Sequence, residues 1–167
     1  MNIVLCGFMG SGKTTVARQL HKRTGKKMID IDTYIETKEN RTIAEIFSSE
    51  GEAFFRALET AAVKEISHLD DHIISTGGGV ILNEENRKEL KHNGKIVYLH
   101  VTIDTVLARL KYDKTRPLLA GDKEKTILAL YEKRLPMYET YADIIVDASI
   151  APKKIASTII KKISENT

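Results

Sequence analysis

A glycine-rich segment near the start of the sequence carries a lysine and a hydroxyl side chain at the spacing that binds phosphate groups. Residues 7–14 read Gly-Phe-Met-Gly-Ser-Gly-Lys-Thr and match the pattern G-x-x-x-x-G-K-[ST]. An apolar run precedes the segment and a helical pattern follows it, so the predicted order is strand, glycine loop, helix. In that order the loop directs consecutive backbone N–H groups and the positive end of a helix dipole at one point, where a polyphosphate binds.

The side chains of this loop have complementary roles. Lys13 is expected to reach the β- and γ-phosphates of a nucleotide, and the Thr14 hydroxyl to bind Mg²⁺. A glycine turn with an incidental lysine is the alternative, which the flanking strand and helix disfavour. The residues predicted to bind the nucleotide phosphates are Gly10, Ser11, Gly12, Lys13, Thr14 and Thr15.

Two carboxylates follow the second apolar run, at Asp30 and Asp32. If the segment is extended, residues two apart point to the same side, and both carboxylates face the phosphate site. Asp30 would then hold a water molecule on the Mg²⁺, and Asp32 would accept a hydrogen bond and the proton from a substrate hydroxyl. The alternative for Asp32 is that it caps the helix that starts after it.

The third apolar run ends in three glycines, Gly77, Gly78 and Gly79, after Ser75 and Thr76. Glycines there can present bare N–H groups to a ligand, or can simply form a flexible turn. Phosphate-loop enzymes often place an aspartate at such a strand end to hold the metal ion. Its absence here assigns the metal role to Asp30.

Three arginines are candidates for anion binding: Arg56, Arg116 and Arg134. Arg116 is the most suggestive, because the following Pro117 favours an extended backbone between two helical stretches. We expect residues 111–124 to form a mobile lid, whose arginine would contribute roughly 10³–10⁵ in rate when it closes on the transferring phosphoryl group. Taken singly, each arginine is also typical of a solvated surface.

The remaining pattern predicts a fold that brings these motifs together. Short apolar runs alternate with helical patterns, which indicates an α/β fold with a five-stranded parallel sheet flanked by helices on both faces. In such sheets ligands bind beyond the carboxyl ends of the strands. Helix starts are predicted at a capping box of Thr42 and Glu45, at Asn83 and at Pro152. The runs predicted as strands are 3–6, 27–29, 72–75, 96–101 and 143–146.

Composition restricts the domain organisation and the partners. The 167 residues contain no linker-like tract, so we expect a single domain at 1–167. The net charge of +3 comes from interspersed acidic and basic residues, which does not indicate nucleic-acid binding. Cys6 is the single cysteine, and no apolar run approaches the ~18 residues of a membrane span. We therefore expect a cytoplasmic monomer without membrane contact.

Taken together, the motifs resemble the shikimate kinase family over nearly the whole chain. The resemblance implies a P-loop fold like that of the nucleoside-monophosphate kinases. It implies transfer of the γ-phosphoryl group of ATP, with Mg²⁺, to the 3-hydroxyl of shikimate, on the route to chorismate and the aromatic amino acids. The matching stretches are 7–14, Asp30-x-Asp32, Phe55-Arg56-x-x-Glu59, 77–79, 115–119 and Arg134-x-Pro136-x-Tyr138.

The resemblance also implies roles for individual residues. Arg56 and Arg134 would hold the shikimate carboxylate beside the glycine triplet. The substrate-binding helices of the domain would lie at about 32–60. Asp32 would bind the hydroxyls and orient the attacking one, and Arg116 would close from the lid. The catalytic residues are thus expected to be Lys13, Asp32 and Arg116.

Three further residues have two interpretations each. Phe47 and Phe55 would line the apolar face of the substrate ring, or else pack in the core. Arg109 matches the family position that stacks on adenine, but a solvated helix residue is equally compatible with its surroundings. The turn at 147–152, which would complete the adenine site, is shorter and less basic than the family pattern.

Two other functions fit part of the pattern. Another small-molecule kinase of the same fold, such as a gluconate kinase, would share the phosphate loop but not the paired arginines and glycine triplet. A non-catalytic nucleotide-binding module would leave Asp32 and the lid arginine without a role.

Overall fold

Five parallel strands form one sheet in the computed structural model, which describes residues 1–111 and 123–167. In chain order the strands are β1 (Asn2–Cys6), β2 (Lys27–Asp30), β3 (His72–Ser75), β4 (Gly94–His100) and β5 (Ile144–Asp147). Across the sheet they run in the order β2-β3-β1-β4-β5, and every neighbouring pair is parallel. The predicted α/β fold with a five-stranded parallel sheet is confirmed.

Helices connect and cover the strands. The helix at Lys13–Thr24 packs with the one at Pro152–Glu165, and the helix at Glu52–Ser67 packs with the one at Glu84–His92. The first four helices are α1 (Lys13–Thr24), α2 (Ile31–Glu39), α3 (Ile43–Glu50) and α4 (Glu52–Ser67). A short 3₁₀ turn spans Val80–Leu82. The other helices in the described ranges are α5 (Glu84–His92), α6 (Ile103–Leu110), α7 (Lys123–Tyr141) and α8 (Pro152–Glu165).

The central strand β1 supplies the rigid base of the glycine loop. All of its residues are buried, and Val4 and Leu5 have no exposed surface. Strands of a parallel sheet covered on both faces have this continuous apolar pattern. Because β1 is paired with β3 on one side and β4 on the other, the loop that follows it starts from a fixed position.

The predicted helix starts agree with the structure. Asn83 Oδ1 accepts a hydrogen bond from Glu85 N at 2.8 Å, and Thr42 Oγ1 accepts one from Glu45 N at 3.1 Å. Pro152 is the first residue of α8, where its missing N–H costs no helical hydrogen bond.

The prediction that Asp30 and Asp32 both lie in an extended segment is wrong. β2 ends at Asp30, and α2 begins at Ile31, so Asp32 lies in the first turn of a helix. The capping residue is Asp30, whose Oδ1 accepts a hydrogen bond from Thr33 N at 3.0 Å. The capping role considered for Asp32 therefore belongs to Asp30.

The predicted lid at 111–124 lies almost wholly outside the described residues, and Arg116 with it. Among the helices that are described, none has the length and apolarity needed to cross a bilayer.

Candidate active site

The glycine loop adopts the conformation that its sequence predicts. Gly10 and Gly12 have φ angles of 79° and 90°, a left-handed region that side chains disfavour. Lys13 starts α1 and donates hydrogen bonds from Nζ to the carbonyl oxygens of Gly7 (2.8 Å) and Phe8 (3.2 Å). The lysine is thus held over the loop, at the N-terminus of α1.

A cavity of about 420 Å³ opens at this loop, beyond the carboxyl ends of the strands. Its wall combines the predicted nucleotide-binding residues with both carboxylates and part of the glycine triplet. The lining includes Gly10, Ser11, Gly12, Lys13, Thr14, Thr15, Asp30, Asp32, Ser75, Thr76, Gly77 and Gly78.

The residues proposed for magnesium lie in this same cavity. Thr14 offers a hydroxyl and Asp30 a carboxylate, and both are oxygen ligands of the kind that Mg²⁺ prefers. Across residues 1–111 and 123–167, no cluster of three or more His, Cys, Asp or Glu side chains could hold a metal ion. The donor set therefore fits an ion that takes most of its ligands from water and nucleotide phosphates, as Mg²⁺ usually does.

The same cavity is also lined by Arg109 and by apolar residues that follow β5. Arg109 of α6 lines it and donates a hydrogen bond from Nη1 to Gly10 O at 2.7 Å. Ala148 and Ile150 line it from the turn after β5, and Pro152 lines it from the start of α8. This turn is closed by Asp147, whose Oδ1 accepts hydrogen bonds from Ser149 N (2.9 Å) and Oγ (2.6 Å). The apolar lining from this turn was not predicted.

A second, smaller cavity of about 80 Å³ adjoins the first. Asp32, Gly77 and Gly78 line both cavities, so the two share a wall. Phe47 and Phe55 line the second cavity and contact each other, with ring centroids 4.9 Å apart. The other residues around it are Met9, Ile43, Arg56, Glu59, Gly79 and Arg134.

The two arginines of this cavity have different surroundings. Arg134 of α7 is 4% exposed, whereas the Arg56 side chain is 30% exposed. Arg56 Nη1 forms an ion pair with Glu59 Oε1 at 2.6 Å. Burial raises the pKa of the Glu59 carboxyl above its usual value, and Arg56 offsets part of this effect.

The glycine triplet lies directly against these charged groups. A methyl group on Gly78 would lie 2.7 Å from Arg134 Nη1, and one on Gly79 would lie 2.6 Å from Arg56 Nη1. A methyl group on Gly77 would lie 3.2 Å from Asp32 Oδ1 and 3.2 Å from Glu59 Oε2. A side chain at any of these glycines would therefore displace the charged groups of the second cavity.

The sequence patterns did not assign a site role to Glu59 or Tyr138, although both lie in motifs that resemble those of the shikimate kinase family. Glu59 follows Arg56 by one helical turn, and Tyr138 follows Arg134 by one turn. Helical spacing of this kind places each of them on the same face as its arginine. This helical spacing is the feature of the sequence from which a site role for Glu59 and Tyr138 could have been predicted.

Comparison with known proteins agrees with this geometry. The shikimate kinase family model matches residues 9–164. Shikimate kinase from Caldicellulosiruptor bescii is 42% identical over 96% of this chain and 97% of its own length. The enzyme from Chromobacterium violaceum is 44% identical over 89% of this chain and 81% of its own. The structure of shikimate kinase from Acinetobacter baumannii in complex with shikimate matches with a TM-score of 0.94 and 37% identity, over 99% of this chain and 94% of that one. The chain belongs to the shikimate kinase family.

Proposed function

We propose that this chain transfers the γ-phosphoryl group of ATP to the 3-hydroxyl of shikimate, giving ADP and shikimate 3-phosphate. The observation that carries the proposal is the wall shared by the two cavities, which consists of Asp32, Gly77 and Gly78. A phosphate loop lies on one side of this wall and two arginines lie on the other. A phosphoryl donor and a carboxylate-bearing acceptor can therefore meet at Asp32.

The second cavity suits the chemistry of shikimate, which has a carboxylate at one end and three hydroxyls at the other. Arg56 and Arg134 would bind the carboxylate, because two guanidinium groups provide charge-assisted hydrogen bonds. Phe47 and Phe55 would contact the apolar face of the ring. The acceptor hydroxyl then lies toward Asp32.

In the transfer step, the oxygen of the 3-hydroxyl forms a bond to the γ-phosphorus as the bond from phosphorus to the β–γ bridging oxygen breaks. Asp32 orients the hydroxyl and accepts its proton. Lys13 stabilises charge on the β- and γ-phosphates, since its ammonium lies at the loop that binds them. Bound Mg²⁺ would neutralise phosphate charge between Thr14 and Asp30.

Two arginines complete the proposal. Arg109 would stack on the adenine, opposite the apolar turn that includes Ile150 and Pro152. Arg116, which lies outside the described residues, would close on the phosphoryl group from the lid. Because residues of one chain line both cavities, we propose that the monomer is the active form, and that it acts in the cytoplasm.

The test is ADP release by the purified protein with Mg²⁺-ATP and a panel of acceptors. We expect release that depends on shikimate, and none above background with gluconate or a nucleoside monophosphate. Release with gluconate instead would keep the nucleotide site and overturn the acceptor. ATP binding without transfer to any acceptor would favour a non-catalytic module.

A further inference from the structure

We infer that Tyr138 is a positioning residue for acceptor binding, because its hydroxyl fixes the peptide plane between Gly78 and Gly79. The inference rests on the proposed function, since it concerns the same cavity. Tyr138 Oη donates a hydrogen bond to the carbonyl oxygen of Gly78. Tyr138 is absent from the cavity lining, so its effect on the acceptor passes through the groups that its hydroxyl contacts, the Gly78 carbonyl and the neighbouring Arg134 guanidinium.

Because the peptide bond is planar, this hydrogen bond also orients the N–H of the residue after Gly78. The carbonyl of residue 78 and the N–H of residue 79 belong to one plane and point in opposite directions. A phenol that holds the Gly78 carbonyl therefore also sets the direction of the Gly79 N–H. Gly79 lines the second cavity, directly beside the Arg56 guanidinium.

The glycine triplet needs such an external restraint. Glycine has no Cβ and rotates more freely about φ and ψ than any other residue. Hydrogen bonds hold the two ends of the triplet, since Val80 N donates to Gly77 O at 3.3 Å and Leu82 N donates to Gly79 O at 3.2 Å. Tyr138 supplies the corresponding restraint in the middle of the triplet.

Tyr138 is itself rigidly held. It is 1% exposed, and its ring stacks on Tyr98 of β4 with centroids 5.1 Å apart and planes at 28°. Its hydroxyl also lies beside the Arg134 guanidinium, since a methyl group on Gly78 would lie 3.4 Å from Tyr138 Oη and 2.7 Å from Arg134 Nη1. Burial raises the pKa of Tyr138, so the phenol keeps its proton and remains a donor at every pH suited to an assay.

The test compares Tyr138→Phe with Tyr131→Phe. Both variants keep the ring and lose one hydroxyl from α7, and Tyr131 Oη donates to Val101 O at 2.7 Å, away from the second cavity. For Tyr138→Phe we expect the KM for shikimate to rise about tenfold, from the loss of one buried hydrogen bond. The KM for ATP should stay within about twofold of wild type. Tyr131→Phe should change neither KM, although it loses a similar bond.

A second readout does not depend on the substrate. Amide hydrogen exchange of Gly79 in the ligand-free protein, followed by NMR, should be faster in Tyr138→Phe than in Tyr131→Phe or wild type. Unchanged Gly79 exchange in Tyr138→Phe overturns the inference even if the KM for shikimate rises, because the hydroxyl also lies beside Arg134. An equal KM increase in Tyr131→Phe overturns it as well. If wild type does not phosphorylate shikimate, the proposed function fails, and the exchange comparison alone decides whether Tyr138 holds the triplet.

Discussion

Arg56 Nη1 lies 2.6 Å from Glu59 Oε1, and this ion pair joins a partly exposed cation to a carboxylate that is 2% exposed. Both residues lie on α4, one helical turn apart. Glu59 thus holds the Arg56 guanidinium on the side of the second cavity. The carboxylate loses its hydration in order to fix the direction of an arginine that would bind the acceptor.

The first prediction concerns Glu59→Gln. Losing the charge should loosen Arg56 and raise the KM for shikimate about tenfold, the effect of losing one charge-assisted hydrogen bond. Stability should respond in a different way. Burial raises the pKa of Glu59 above its ordinary 4.5, so the folded state binds this proton more tightly than the unfolded state. The contribution of the protonated Glu59 carboxyl to stability is therefore fully present below pH 4.5, and it is lost as the pH rises through the raised pKa of the folded state.

Urea unfolding between pH 4 and pH 8 measures this contribution. Relative to wild type, Glu59→Gln should gain stability as the pH rises through that window. Glu65→Gln is the matched control on α4, because hydrogen bonds from Lys38 and Tyr34 lower the pKa of Glu65. Relative to wild type, Glu65→Gln should lose stability as the pH rises over the same range. Parallel pH profiles for wild type and Glu59→Gln would contradict the prediction.

The second prediction is that Lys13→Ala abolishes turnover without unfolding the protein. Removing one preorganised cation from the transferring phosphates should lower kcat by at least about 100-fold. Coupled ADP release measures the rate, and the thermal midpoint measures folding. Lys22→Ala, an exposed lysine in the last turn of the same helix, is the control and should keep wild-type kcat. A kcat for Lys13→Ala within threefold of wild type would remove the lysine from the mechanism.

The third prediction concerns Arg134→Lys, which keeps the charge but loses the planar fork that binds a carboxylate with two hydrogen bonds. We expect the KM for shikimate to rise roughly 10- to 100-fold, as for the loss of one charge-assisted bond. The KM for ATP should change little, because Arg134 lines the second cavity and not the first. The exposed neighbour Lys133→Ala should have no effect on either constant. An unchanged KM for shikimate in Arg134→Lys would exclude the clamp role.

The fourth prediction separates close approach from backbone strain by comparing two glycines. Gly79 has φ −98° and ψ −7°, which alanine adopts readily, but the added methyl group would lie 2.6 Å from Arg56 Nη1. Gly79→Ala should therefore raise the KM for shikimate and leave the thermal midpoint nearly unchanged, since the Arg56 side chain can shift.

Gly25→Ala should do the reverse. Gly25 has φ 73° at the end of α1, and nothing lies within 4 Å of the added carbon. Strain alone should cost about 1 kcal/mol of stability, and the kinetic constants should stay the same. If both variants raised the KM for shikimate, close approach would not be the cause.

Sequence patterns predicted the sheet and the phosphate loop because both depend on local chemistry. The apolar runs and the glycine spacing are visible without knowledge of distant contacts. The order of Asp30 and Asp32 shows the limit of such reasoning. Either aspartate is a suitable helix cap, and the end of β2 decides that Asp30 takes that role. The predicted extended segment therefore ran to Asp32, two residues beyond the actual end of β2 at Asp30.

The burial of charged residues was harder to predict from the sequence. Glu59 and Arg134 have side chains that are solvated in most proteins, and local sequence does not distinguish a buried charge from a surface one. Both lie directly against the glycine triplet, which belongs to a different part of the chain. Only the tertiary structure reveals this arrangement.

The central position of β1 has a consequence for synthesis on the ribosome. β1 pairs with β3 and β4, so the backbone N–H and C=O groups of this apolar strand lack at least one of their two partner strands until β4 has been translated. At ~5–20 residues per second, roughly 5–20 s separate Asn2 from Gly94. During that interval the nascent chain carries an apolar strand with at least one unpaired edge, the kind of segment that associates with other chains or is shielded by a chaperone.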